Sequence, residues 1–291
     1  MEQVTEPEAI RSRLLAACRD GRTVGLVPTM GYFHDGHLAL MRAARRDCDL
    51  VVTSIFVNPL QFGPGEDFGD YPRDLQRDRE AAAQVDVDLL FCPAVETMYP
   101  EGFATFVRVE RLTEVLCGRF RPGHFQGVAT VVAKLFNLVP ADFAYFGEKD
   151  AQQALVIKRM VRDLNFPIRV ITVPTVREID GLAMSSRNIY LSEAQRRAAP
   201  VLYQSLLEAK EAMERGERSG EALCHMVKRR IAREPEARLQ YVEVRGLPDL
   251  EELTEVNKPA LLAVAAYFGK ARLIDNVILD PTGRVKSLND V

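Results

Sequence analysis

Through the first three fifths of the chain, apolar runs of four to eight residues alternate with stretches of helical periodicity, and this alternation leaves few architectures open. The runs at residues 23–28, 50–57, 87–91, 143–146 and 168–173 read as buried strands. The first two are rich in β-branched residues and end at Pro or Asn-Pro. Between them, 73–84, 124–138 and 152–163 carry helical spacing; Val128, Val131, Val132, Leu135 and Leu138 fall on one face of the second. Strand, helix and strand in that order predict an α/β domain of Rossmann-like form, a parallel sheet with crossover helices.

The pattern changes near Pro174. A loop over 174–188 leads to two polar-faced helices, 192–215 and 219–233, the first with Ser192 in a capping position. Strands are expected at 239–244, 260–268 and 271–278, the last two joined by a tight turn at Gly269-Lys270. We therefore expect a nucleotide- and substrate-binding domain over 1–174 and a smaller C-terminal α+β domain over 175–291.

Composition excludes several classes of function. A net charge of −3 argues against nucleic acid as the main partner, because binding a phosphate backbone needs a local excess of Lys and Arg. Apolar stretches such as 261–268 are too short to span a bilayer, and the N-terminus lacks a basic region followed by an apolar one, so a cytoplasmic protein without membrane association is expected. Five scattered cysteines with no Cys-x-x-Cys pair suit neither a disulfide framework nor a zinc site.

The most informative segment is Val27-Pro28-Thr29-Met30-Gly31-Tyr32-Phe33-His34-Asp35-Gly36-His37-Leu38. A strand enters a loop with two glycines and two histidines and then a helix expected to begin near His37. Such a turn directs backbone N–H groups and the positive helix end at whatever lies over it, which favours phosphate. The spacing of Gly31 and Gly36 imitates a P-loop, but His37-Leu38 stands where Lys-Ser/Thr would be required. A His-x-x-His metal site is disfavoured because the chain has only four histidines and no nearby Glu or Cys completes a ligand set.

His34-Asp35-Gly36-His37 resembles the His-x-Gly-His signature of the nucleotidyltransferase superfamily that includes class I aminoacyl-tRNA synthetases. The longer string from Pro28 to Leu38 resembles the pantothenate synthetase family in particular. Tyr32-Phe33 stands where many members carry Ala-Leu. Three further segments follow in the family's order: Ser54 to Gly63, with Asn58 and Gln61; Cys117 to Gly127, with Arg121 and His124; and Phe146 to Gln153, with Gly147-Glu148-Lys149-Asp150. A last segment, Val176 to Asn188, contains Met184-Ser185-Ser186-Arg187, similar to the Lys-Met-Ser-Lys-Ser loop of the superfamily without its leading Lys.

The resemblance implies an ATP-dependent ligase that activates pantoate as an acyl-adenylate and joins it to β-alanine. ATP would meet Met30, Gly31, His34, Gly36, His37, Gly147, Glu148, Lys149, Asp150, Val176, Met184, Ser185, Ser186 and Arg187. Of these, His34, His37, Lys149 and Arg187 would act in catalysis. Gln61 would contact both pantoate and β-alanine, Gln153 pantoate, and Asn58, Arg121 and His124 would complete the substrate set. Magnesium is expected to accompany ATP, with Asp150 near the ribose or the metal and no protein ligand to the metal assigned, and family habit implies a homodimer. The rival reading is another His-x-Gly-His nucleotidyltransferase, which would attach a nucleotide to a phosphorylated acceptor and stop there.

Overall fold

In the computed structural model, which describes residues 1–290, the first part of the chain runs β1 (Glu2–Val4), α1 (Pro7–Arg19), β2 (Val24–Thr29), α2 (Asp35–Asp47), β3 (Leu50–Ile55), α3 (Leu75–Ala83) and β4 (Leu89–Phe91). It continues with α4 (Val95–Met98), α5 (Cys117–Phe120), α6 (His124–Leu138), β5 (Phe143–Gly147), α7 (Ala151–Asp163) and β6 (Arg169–Val173). The six strands form one sheet in the order β1-β4-β3-β2-β5-β6, and every pairing is parallel. This is the expected parallel α/β sheet. Strand order reverses between β2 and β5, and open sheets of this kind bind ligands outside the carboxyl ends of the strands at such a switch point.

From Pro174 onward come α8 (Glu193–Ala198), α9 (Val201–Glu214), α10 (Gly220–Ile231), β7 (Ala237–Gly246), β8 (Glu251–Glu252), β9 (Ala260–Phe268) and β10 (Ala271–Leu279). Their strands form an antiparallel sheet in the order β10-β9-β7-β8. Gly269, at φ +56°, makes the tight turn between β9 and β10, where a left-handed residue matches the strand twist.

The chain divides into two units. The first comprises Met1–Glu114, Gly118–Gly147 and Gln152–Val173; the second gathers Val115–Cys117, Glu148–Ala151 and the chain from Pro174. Each has its own core. In the first, Val27, Val51 and Leu90 of the sheet pack with Met41 and Ala44 of α2 and with Tyr145. In the second, Leu206 and Met213 of α9 and Leu223 and Val227 of α10 cover Leu262, Val264 and Leu273. Burying each such aliphatic side chain contributes about 1.5–3 kcal/mol.

Several boundaries differ from the sequence reading for local reasons. The helix expected over 192–215 is two, because Pro200 lacks an N–H and its ring cannot continue α8; Ser192 caps α8 as expected, in a capping box with Gln195. The strand expected over 50–57 ends at Ile55, before the Asn58-Pro59 turn. The helix expected near His37 starts earlier, at Asp35, because His34 itself is its cap. The short strand β1 carries too little alternation to be read from sequence. No described helix is long and apolar enough to cross a membrane.

Candidate active site

The loop after β2 is held open by its own chemistry. Gly31 (φ +84°) and Tyr32 (φ +53°) are consecutive left-handed residues, a conformation costly for a side chain as large as Tyr32. Three contacts hold it. Asp78 on α3 accepts the Tyr32 N–H at 2.7 Å and the Phe33 N–H at 2.6 Å, Phe33 is buried in the first core, and the Arg77 guanidinium lies over the Tyr32 ring at 4.6 Å. A Cβ on Gly31 would meet Asp78 Oδ2 at 2.9 Å and Ile55 Cγ2 at 3.0 Å, so glycine is required by both conformation and space.

The two histidines then form a reciprocal cap. His34 Nδ1 accepts the Gly36 N–H at 3.2 Å, and His37 Nδ1 accepts the His34 N–H at 3.4 Å. Because both Nδ1 atoms act as acceptors, the proton of each neutral ring lies on Nε2. The rings pack 4.1 Å apart at 40°. The result is a pair of imidazole N–H donors at the positive end of α2, a constellation suited to phosphate oxygens.

Beside this loop, Met30 Sδ receives the Gln61 Nε2–H at 3.1 Å, which ties the turn after β3 to the end of β2. Gln61 is buried, and its Oε1 accepts from Asn58 Nδ2 at 3.0 Å. Gly147 ends β5 on the other side of β2, across the switch point. Gln153 lies half-buried in the first turn of α7.

The other expected site residues belong to the second unit. Glu148–Asp150 form a 3-10 turn in which Lys149 Nζ lies 3.6 Å from the Asp150 carboxylate. Val176 O accepts the Met184 N–H at 3.0 Å, and Arg177 pairs with Ala183 as a β-bridge, so the segment from Val176 to Met184 doubles back on itself. At its end Ser185 caps a second 3-10 turn, Ser186–Tyr190, by accepting the Arg187 N–H at 3.3 Å. The structure thus places Met30, Gly31, His34, Gly36, His37, Asn58, Gln61, Arg121, His124, Gly147 and Gln153 in one unit, and Glu148, Lys149, Asp150, Val176, Met184, Ser185, Ser186 and Arg187 in the other.

Residues 2–278 match the family model described as pantoate-beta-alanine ligase. The chain belongs to the pantoate-beta-alanine ligase family. It is 61% identical over 270 residues to the pantothenate synthetase of Pelotomaculum thermopropionicum, covering 93% of this chain and 96% of that protein. The crystal structure of pantothenate synthetase from Thermus thermophilus superposes with a TM-score of 0.91 at 53% identity, covering 95% of this chain and 99% of that one. The pantoate-beta-alanine ligase of Francisella tularensis, solved in complex with beta-gamma ATP and beta-alanine, superposes at 0.78 with 34% identity, covering 95% and 97%.

Within this ligase framework the side chains expected to touch substrate divide into two kinds. Asn58 is buried, and its amide is saturated. Its Nδ2 donates to Gln61 Oε1 and, at 3.1 Å, to Gly127 O, while its Oδ1 accepts the Leu60 N–H at 3.2 Å and the Tyr99 hydroxyl at 2.8 Å. An asparagine has two donors and two acceptor sites, so Asn58 is occupied in orienting Gln61. Burial pushes the Tyr99 phenol up, keeping it a donor. Gln61 keeps one N–H and one lone pair beyond its bonds to Met30 and Asn58, a donor and an acceptor side by side.

Arg121 and His124 also turn toward the Gln61 backbone. His124 Nδ1 lies 2.8 Å from Gln61 O and Arg121 Nη2 donates to the same oxygen at 3.2 Å. With the His124 proton on Nδ1, its Nε2 accepts from Arg121 Nη1 at 3.0 Å. Glu66 holds the guanidinium in two bonds of 2.7 and 2.6 Å. Burial alone would raise the Glu66 carboxyl, but the Arg121 hydrogen bonds and charge outweigh it and hold the carboxyl below its ordinary value.

Sequence reasoning missed Asp78, Glu66 and Tyr99. For Asp78 a signal existed: it stands on the buried face of α3, one turn from Ala82, where a carboxylate demands backbone donors. Burial raises its carboxyl, and the Phe33 and Tyr32 amides pull it back.

Proposed function

We propose that this ligase condenses pantoate with β-alanine in two steps on ATP, and that the residues named above divide between phosphate and substrate. The observation that carries the reading is the paired Nε2–H donors of His34 and His37 at the start of α2, beside the oriented amide of Gln61. The pantoate carboxylate is ionised at neutral pH and needs no base. Its oxygen attacks the α-phosphorus, the bond to the bridging oxygen of pyrophosphate breaks, and an acyl-adenylate forms. The obstacle is charge, since an anion approaches an anion and another leaves.

Donors fixed before the reaction answer that obstacle. His37 and His34 are suited to the phosphates, and Lys149, Ser185, Ser186 and Arg187 to pyrophosphate oxygens. Magnesium arrives on the ATP phosphates. Gln61 offers a donor and an acceptor to the hydroxy acid and then to the amine. In the second step the β-alanine nitrogen, having lost a proton to solvent or to a phosphate oxygen, attacks the acyl carbon; the acyl–oxygen bond to AMP breaks, AMP leaves, and the nitrogen gives up a second proton to solvent as the amide forms. The relative of known structure bound to beta-gamma ATP and beta-alanine supports two of the three substrates. A cytoplasmic homodimer completes the proposal.

A discrete adenylate makes the first step reversible without amine. Labelled pyrophosphate should enter ATP in the presence of enzyme, magnesium and pantoate, with β-alanine omitted, and should not do so without pantoate. An acyl-phosphate route would release ADP and give no such exchange, which would overturn the reading.

A further inference from the structure

Two adjacent buried residues on β10, Asp275 and Asn276, have no part in the scheme above. Successive strand residues face opposite sides of a sheet. Leu273, Val277 and Leu279 belong to the second core, so Asp275 lies on the core face and Asn276 on the other. A carboxylate on a core face is costly unless fully paired. Its partner is Arg177, whose Nη1 and Nη2 donate to Asp275 at 2.7 and 2.9 Å. The same guanidinium stacks 3.5 Å over Tyr203 and donates to Gly181 O at 3.1 Å. Arg177 is therefore the anchor of the doubled-back segment that ends at Met184 and delivers Ser185, Ser186 and Arg187.

Asn276 does the equivalent on the opposite face. Both of its Nδ2–H groups are engaged, to Glu148 O and to Lys149 O, each at 3.0 Å. The Glu148 carboxylate is itself engaged, accepting from Ser287 Oγ and, at 2.8 Å, from the Leu288 N–H. Asp275 Oδ1 also accepts the backbone N–H of Asn276 at 2.8 Å, which ties the carboxylate to the main chain that carries Asn276.

We propose that Asp275 and Asn276 are positioning residues that register the Lys149 turn and the Arg187 turn against each other through one strand, so that both cations meet the same departing pyrophosphate. The inference rests on the assignment of Lys149 and Arg187 to ATP made above. A two-residue link through an ordered strand leaves little freedom between the turns, and misplacement by about 1 Å costs about 100-fold in a positioned reaction.

The test is a pair of double-mutant cycles read by pantoate-dependent pyrophosphate exchange, with KM for ATP and for pantoate measured separately. Asn276→Leu, which keeps the branched shape and removes both donors, should lower exchange about 10- to 100-fold and raise KM for ATP, with KM for pantoate within twofold. If it acts through Lys149, the loss should be small once Lys149→Ala is present; Asp275→Asn should show the same coupling to Arg187→Ala. Additive losses in soluble, cooperatively melting protein would overturn the proposal, as would equal rises in both KM values. Should Asp275→Asn fail to fold, the Asn276 and Lys149 cycle decides alone. If Lys149→Ala and Arg187→Ala both leave exchange unchanged, the ATP assignment falls instead, and the two failures are distinct.

Discussion

Gly127 in the first turns of α6 faces the turn that carries Gln61, and no side chain fits between them. A Cβ there would meet Leu60 O at 2.3 Å, Leu60 C at 2.4 Å and Gln61 N at 2.6 Å, all backbone atoms. Ordinary carbon contacts begin near about 3.4 Å, so in Gly127→Ala the Leu60-Gln61 peptide must retreat by about 1 Å. That retreat strains the bond from Asn58 to Gly127 O, and with it the bond that orients Gln61. Overpacking of this kind costs about 1–3 kcal/mol of stability. A substrate amide displaced by about 1 Å costs about 100-fold in rate, or about 2.7 kcal/mol. The assay is steady-state kinetics with each substrate varied in turn, beside urea melts. KM for pantoate and β-alanine should rise and kcat should fall, while ATP affinity, assigned above to the histidine loop and to the Lys149 and Arg187 turns, should stay within about twofold. Gly69→Ala, with nothing within 4 Å, is the control and should behave as wild type. A folded Gly127→Ala protein with unchanged kinetics for all three substrates would refute the reasoning that packing of α6 places Gln61.

His37→Ala should reduce pyrophosphate exchange by the equivalent of about 2–4 kcal/mol with the melting midpoint little altered; near-normal exchange would remove His37 from the mechanism. Asp78→Asn substitutes an amide for one carboxylate oxygen and faces an N–H with another N–H. It should cost about 1–3 kcal/mol in stability and slow exchange at least tenfold, and an unchanged exchange rate would show that the Tyr32-Phe33 turn holds without the carboxylate. The depressed Glu66 carboxyl contributes stability that is present above its ordinary value of about 4.5 and is lost as pH falls through the depressed one. Acid melts of Glu66→Gln should therefore fall less steeply than wild type in that window, and parallel curves would count against the Glu66 to Arg121 lock.

The sequence by itself determined the parallel sheet, the antiparallel second unit and the family, because these rest on periodicity and on short contiguous motifs. The histidine loop is legible for the same reason: Gly31, His34, Gly36 and His37 lie within seven consecutive positions, and the turn and cap they form are local geometry. What only tertiary structure decided are roles that depend on distant partners. Asn58 has the residue type of a ligand contact, yet Gly127 and Tyr99 saturate its amide and make it the holder of Gln61. Arg121 and His124 stand at a helix start where an anion is plausible from sequence alone, and they grip the Gln61 carbonyl under the charge of Glu66. Lys149 follows a strand of the first unit but packs with the second, through bonds from a residue 127 positions away. A hydrogen bond saturates whichever group the fold brings within about 3 Å, and chain separation gives no warning of which group that will be.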